Sequence, residues 1–108
     1  MEIEISYKNG YRVIRIRESL GAQADLGELC DEVARALEEG IERIAVAFTD
    51  DSYLDSRAIG NLARCVEMVG AVHGTLAVIQ PNPDIADFLK VVGFVNHIKV
   101  YPSENELR

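Results

Sequence analysis

The chain has 108 residues, enough for one hydrophobic core and too few for two ordinary ones, so a single domain over residues 1–108 is expected. An apolar share of 48% and a charged share of 27% match a globular chain and exclude a disordered one. A formal net charge of −7 argues against electrostatic capture of nucleic acid or of an anionic membrane, which leaves a protein surface or a small molecule as the expected partner.

The opening MEIEISYK alternates acidic and apolar residues, the wrong pattern for a signal peptide. No apolar run approaches the roughly 20 residues that span a bilayer, so a cytoplasmic location without membrane insertion is expected. Asn9-Gly10 is the favoured pair for a two-residue type I′ hairpin. Pairing outward from it sets Lys8 opposite Tyr11, Tyr7 opposite Arg12, Ile5 opposite Ile14 and Ile3 opposite Ile16. Glu4 then faces Arg15 and Glu2 faces Arg17, so one face of the hairpin is isoleucine pairs and the other opposite charges.

From Ala24 to Ile41, Leu26, Leu29, Cys30, Val33, Leu37 and Ile41 recur at spacings of three and four, an amphipathic helix ending at Gly40. Ile44 to Phe48 is apolar on both faces and is expected as a central strand, its Ala45 and Ala47 leaving room for a helix to pack close. Ile59, Leu62, Ala63, Val66 and Val69 form a second helical stripe ending near Gly70. Leu76 to Ile79 is a third buried strand. Asn82 is placed to cap a helix beginning at Pro83, with Ile85, Phe88, Leu89 and Val92 as its stripe before Gly93. A last strand is expected over 96–101, from Asn96 to Tyr101, with Ile98 and Val100 inward, and PSENELR as a loose final turn. The order β-β-α-β-α-β-α-β requires a mixed sheet: an antiparallel hairpin, then parallel βαβ crossovers with the helices mainly on one face.

Between the central strand and the second helix lies TDDSYLDSRAIGNLARC. Asp or Ser immediately before an apolar helical stripe is ordinary N-cap chemistry, with Ala costing ~0.5–2 kcal/mol. Asp50, Asp51 and Asp55 could converge on a hard cation, but no lysine or second acidic strand end completes a phosphoaspartate pocket, and a solvated acidic loop is the simpler reading. His73 and His97 have no ligand-spaced partners and read as surface or helix-end residues. Cys30 and Cys65 fit no chelating motif and read as small buried hydrophobes. With no nucleophile–base order and no Gly-rich phosphate loop, no catalytic residue, metal or cofactor is expected.

The run YLDSRAIGNLARC, with the later GTLAVIQPNPDIADFLKVVGFVNHIKVYPS, resembles the STAS domain shared by sulphate transporters and anti-sigma-factor antagonists. The likeness extends from Tyr7 to Ser103, and its most specific part is Leu54-Asp55-Ser56-Arg57-Ala58-Ile59-Gly60. The resemblance implies that Ser56 is phosphorylated by a serine kinase that is also an anti-sigma factor, and that a serine phosphatase reverses this. It also implies a partner-binding surface comprising Asp51, Asp55, Ser56, Arg57 and Asn61, with Ser56 both accepting phosphate and capping. Arg57 and Ala58 depart from the small residue and glycine common after that serine. An acidic residue expected in the loop after the second strand falls at Glu18 or Asp25, with the usual glycine displaced to Gly21, and Ala47 replaces a common acidic residue on the central strand. The alternative is a structural one: a STAS accessory subunit docked on a membrane transport complex, with Ser56 unmodified. A small hydrolase using the aspartate loop ranks behind both.

Overall fold

The computed structural model describes residues 2–18, 26–52, 54–79, 82–91 and 97–108, with the backbone alone at 88 and 91. In chain order these form β1 (Ile3–Lys8), β2 (Tyr11–Ile16), α1 (Gly27–Glu38), β3 (Arg43–Ala47), α2 (Ser56–Ala71), β4 (Thr75–Ile79), α3 (Pro83–Val91), β5 (Lys99–Tyr101) and a 3₁₀ turn (Glu104–Glu106). The expectations that fall on Gly21, Ala24, Asp25, Val92, Gly93 and Asn96 lie outside the described residues.

The five strands lie side by side in chain order, β1 antiparallel to β2 and every later pair parallel. The hairpin has the register set by its turn, with Ile3 opposite Ile16 and Lys8 opposite Tyr11. Asn9 and Gly10 both have positive φ, 52° and 84°, as a type I′ turn requires.

Its charged face differs from the expectation. Arg17 bonds Glu4 on the diagonal at 2.7 Å, and Arg15 reaches Glu104 at 3.5 Å. Strand twist brings diagonal neighbours within reach of long side chains, so direct opposition does not decide the pairing. Nor is that face wholly polar, because Tyr11 and Val13 on β2 are fully buried.

All three helices cover one face of the sheet. Ile14, Ile16, Ile44, Val46, Phe48, Leu76 and Val78 meet Leu29 and Val33 of α1, Leu62 and Val69 of α2, and Ile85 and Leu89 of α3. Cys30 and Cys65 sit at the α1–α2 contact, free and buried, with sulfurs 3.5 Å apart, and burial pushes the Cys65 thiol pKa up.

The opposite face forms a second, smaller cluster of Tyr11, Val13, Ala45, Ala47, Ala77, Ile79 and Leu107. The alanines seat the 3₁₀ turn and Leu107 where an α-helix was expected. Their small side chains let a short segment lie against the sheet, and Asn9 Nδ2 and the Tyr11 hydroxyl hold it by donating to the Leu107 and Arg108 carbonyls at 2.8 and 3.0 Å. The last strand is shorter than expected. Ile98 is buried just ahead of it, Val100 is 47% exposed, and Tyr101 packs against the alanine-face cluster. An edge strand has one strand neighbour, so its side chains are covered only where a helix or turn overlaps them.

Both long helices end in Schellman motifs. At α1 the Ile41 N–H donates to the Ala36 carbonyl and the Gly40 N–H to that of Leu37, with Gly40 at φ 83°. The second helix ends at Ala71, near the expected stop at Gly70. His73 takes the left-handed position there, at φ 57°, with the Gly74 N–H on the Val69 carbonyl. The glycine is needed one residue later, since a Cβ at 74 would come within 2.4 Å of the Glu42 carbonyl oxygen. His73 is exposed and carries the cost of a left-handed L-residue. His73→Gly is expected to stabilise the fold by about 1 kcal/mol, seen as a higher urea midpoint with an unchanged slope.

Arg12 is buried on β2 and forks onto Glu39, at the C-terminal end of α1, with bonds of 2.8 and 3.2 Å. Its guanidinium also lies 5.4 Å from the Tyr7 ring centre. The bond from Arg12 holds the Glu39 carboxyl below its ordinary pKa of 4.5. A depressed carboxyl contributes stability that is present above its unfolded pKa and is lost as pH falls through the folded one. The stability advantage of the native chain over Glu39→Gln is therefore expected to be full at neutral pH and to shrink below 4.5, measured by urea denaturation across that range.

Candidate functional site

Each position of the Leu54–Gly60 run has its own local reason. Leu54 is 1% exposed and plugs the loop into the main core. Asp55 is extended, at φ −91° and ψ −174°, and its Oδ1 accepts the Ala58 N–H at 3.0 Å, which makes it the N-cap of α2. Its carbonyl accepts the first intrahelical bond, from the Ile59 N–H at 2.9 Å.

Ser56 is the first residue of the helix and is exposed. The expectation that it caps the helix is corrected, because Asp55 alone fills that role. A residue in the first helical position has its side chain past the orphan N–H groups, whereas the residue before it faces them. Ala58 is fully buried, Ile59 packs against the core, and Arg57 is exposed.

The loop before the cap is tied down from several directions. Ser52 is 3% exposed, its hydroxyl lies 2.7 Å from that of Thr49, and the Thr49 hydroxyl donates to Asp51 Oδ1 at 2.9 Å. Asn82 joins this loop to α3. Its Oδ1 accepts the Ile85 N–H at 2.8 Å, the cap expected of it, while its Nδ2 donates to the carbonyls of Asp50 at 2.9 Å and Ser52 at 2.8 Å. Sequence reasoning missed this second role. The available signal was the residue type: an amide side chain accepts and donates at once, which the alternative caps Asp and Ser cannot do in this way.

Ser56, Gly60, Arg64 and Glu67 are all exposed and share one face of α2 by their spacing. A Cβ built on Gly60 would meet nothing within 4 Å. Glycine inside a helix costs ~1 kcal/mol relative to alanine, and no internal packing requires it here. The helix surface one turn beyond Ser56 is bare backbone.

Asp51, Asp55, Ser56 and Arg57 are thus grouped at the entry to α2. Asn61 is set apart, about 140° around the helix from Ser56, and its carbonyl accepts from the Cys30 thiol at 3.2 Å on the side facing α1. Glu18 is also remote: its carboxylate accepts the Glu2 N–H at the start of β1. His73 and His97 are both exposed and border one hollow with Val69 and Leu76. Among the described residues no cluster of three or more metal-ligating side chains occurs, and no helix is long and apolar enough to cross a membrane.

A family model for the STAS domain matches residues 2–107, and the chain belongs to this family. No curated protein matches it. Among solved structures, the crystal structure of the Thermotoga maritima protein TM1081, described as a candidate anti-sigma factor antagonist, superimposes with a TM-score of 0.80. The two are 16% identical over 96% of this chain and 89% of the other. The NMR structure of the same protein gives a TM-score of 0.76 at 15% identity, covering 95% and 82% of the two chains. The Bacillus cell fate determinant SpoIIAA in its phosphorylated form gives 0.63 at 16% identity, covering 92% and 90%. At such identities the likeness establishes a shared fold, that of a five-stranded mixed sheet with helices on one face.

The division of labour at the helix start is open to measurement by chemical denaturation. Asp55→Ala is expected to cost ~0.5–2 kcal/mol and Ser56→Ala less than about 0.5 kcal/mol. Asn82→Asp keeps the cap acceptor but sets a carboxylate against two carbonyl oxygens, and is expected to cost about 1–3 kcal/mol.

Proposed function

We propose that this STAS-domain chain is a regulatory binding protein of the anti-sigma-factor-antagonist kind, switched at Ser56. With Ser56 unmodified it binds a serine kinase that doubles as an anti-sigma factor. Phosphorylation releases it, and a serine phosphatase returns it to the binding state. Asp51, Asp55, Ser56 and Arg57 form the docking surface, with Asn61 at its periphery, and the chain itself performs no catalysis.

The observation that carries this reading is the exposed hydroxyl of Ser56 on a helix start already capped by Asp55. A serine that capped its own helix would lose that bond on modification, and the helix start would suffer. Here the hydroxyl is available and the helix does not depend on it. Helix geometry leaves the N–H groups of the first positions without intrahelical acceptors, so a phosphate would meet local donors and the positive end of the dipole.

The same phosphate would add a charge of about −1.5 to −2 beside Asp55 and near Asp50 and Asp51. The fold would persist while the surface became more negative and changed shape. Burying that phosphate against an unprepared partner costs ~2–4 kcal/mol, or about 30- to 1000-fold in affinity, enough for a switch. Gly60 supports the same reading, since a bare helix face one turn on lets a partner backbone approach.

Intact-mass analysis with site localisation, on protein from its native cells in growing and stressed states, tests the proposal. A phosphate on Ser56 whose occupancy changes between states is the expected result. An unmodified serine in every state overturns it in favour of a constitutive docking subunit. With the kinase in hand, Ser56→Asp is expected to weaken binding by about 30-fold or more relative to Ser56→Ala, and equal affinities would contradict the switch.

A further inference from the structure

The two edges of the sheet are unlike. β5 is three residues long and is followed at once by Pro102, features that discourage further pairing. β1 is six residues long, and Ile5 and Tyr7 on it are 38% and 66% exposed. No proline or inward-facing charge interrupts its centre.

The backbone of β1 defines which groups face outward. The Arg17 N–H donates to the Glu2 carbonyl at 2.9 Å, and the type I′ turn is closed by the Lys8–Tyr11 pair. In an antiparallel ladder, Glu2, Glu4, Ser6 and Lys8 therefore turn their amides toward β2, and Ile3, Ile5 and Tyr7 turn theirs to the free edge.

The side chains repeat this order with a two-fold sense. Laid antiparallel against a second copy of itself about Ile5, β1 sets Ile5 opposite Ile5, Ile3 opposite Tyr7, Glu4 opposite Ser6 and Glu2 opposite Lys8. The outward amides fall opposite one another in this register. Its apolar residues join on the helix face, and opposite charges join on the other. Centring on Glu4 would oppose two glutamates. Centring on Ser6 would run Ile3 into the turn and make Lys8 share Glu4 with Arg17, which already holds it.

We infer that β1 is a homodimer interface, pairing antiparallel with β1 of a second copy about a two-fold axis at Ile5 to make one continuous ten-stranded sheet. A two-fold contact uses the same patch twice, so each dimer contains two Glu2–Lys8 pairs. α2 packs on α1 and β4 and does not lie over β1, so the dimer presents two Ser56 surfaces.

Sedimentation equilibrium of the 108-residue chain tests this. The mass is expected to rise from 11.9 kDa toward about twice that value as concentration increases to about 1 mM. Lys8→Glu is expected to weaken association at least about tenfold, and Glu2→Lys combined with Lys8→Glu to restore it. Within one hairpin Glu2 faces Arg17 and Lys8 faces Tyr11, so the rescue acts only between copies. Ile5→Lys places two like charges at the two-fold axis and is expected to leave a monomer that still unfolds cooperatively. A monomeric native chain at every concentration, or a charge-swapped double variant as weak as Lys8→Glu, would overturn the inference.

Discussion

The structure depends on the unequal faces of β3. Ile44, Val46 and Phe48 turn their bulk toward the helices, and Ala45 and Ala47 turn almost nothing the other way. Burying each of the large side chains stabilises by ~1.5–3 kcal/mol, so this strand defines which face carries the main core. A one-residue slip against β2 or β4 would exchange the faces and put methyl groups where the helices need volume. Because β3 is at the centre of the sheet, every crossover is referred to it. The helices stack on the bulky side, and among the described residues the thin side is covered by Leu107 and a short turn.

The candidate surface is built where β3 ends. Its chain leaves the sheet through Thr49–Ser52, re-enters the core at Leu54, and starts α2 at Asp55. Two side chains do most of the holding. The Asp55 carboxylate satisfies a helix donor, and the Asn82 amide joins two loop carbonyls to the start of α3. Between them they free Ser56 from any structural duty. That division makes a surface modification compatible with an unchanged fold, since the charge would arrive on a group the fold does not use.

At the opposite edge, Arg12 connects β2 to the end of α1 through Glu39 and lies against Tyr7. The pair orders the sheet edge on the helix side while leaving β1 uncovered. The proposed partner-binding surface at α2 and the inferred self-pairing strand at β1 would then be separate features of one molecule, the first answering to a phosphate and the second to concentration.

Much of this was legible in the sequence because it rests on local rules. Asn9-Gly10 admits few turns other than type I′, and that turn sets the register of the whole hairpin. The apolar stripes give the helices, Asn82-Pro83 gives a helix start, and Leu54–Gly60 carries the family likeness and the candidate serine. Tertiary structure decided the remainder. Arg17 chose Glu4 over Glu2 because twist brings diagonals together, and α2 ended at Ala71, with His73 taking the left-handed position, because Gly74 was required against Glu42. The cap fell to Asp55 and not to Ser56, the Asn82 amide reached a loop some 30 residues away, and the alanine face took Leu107 instead of a helix. Periodicity and propensity act within a few residues along the chain. Which of two adjacent polar groups meets an orphan donor, and which surface covers a thin sheet face, depends on distances between segments that only the folded chain defines.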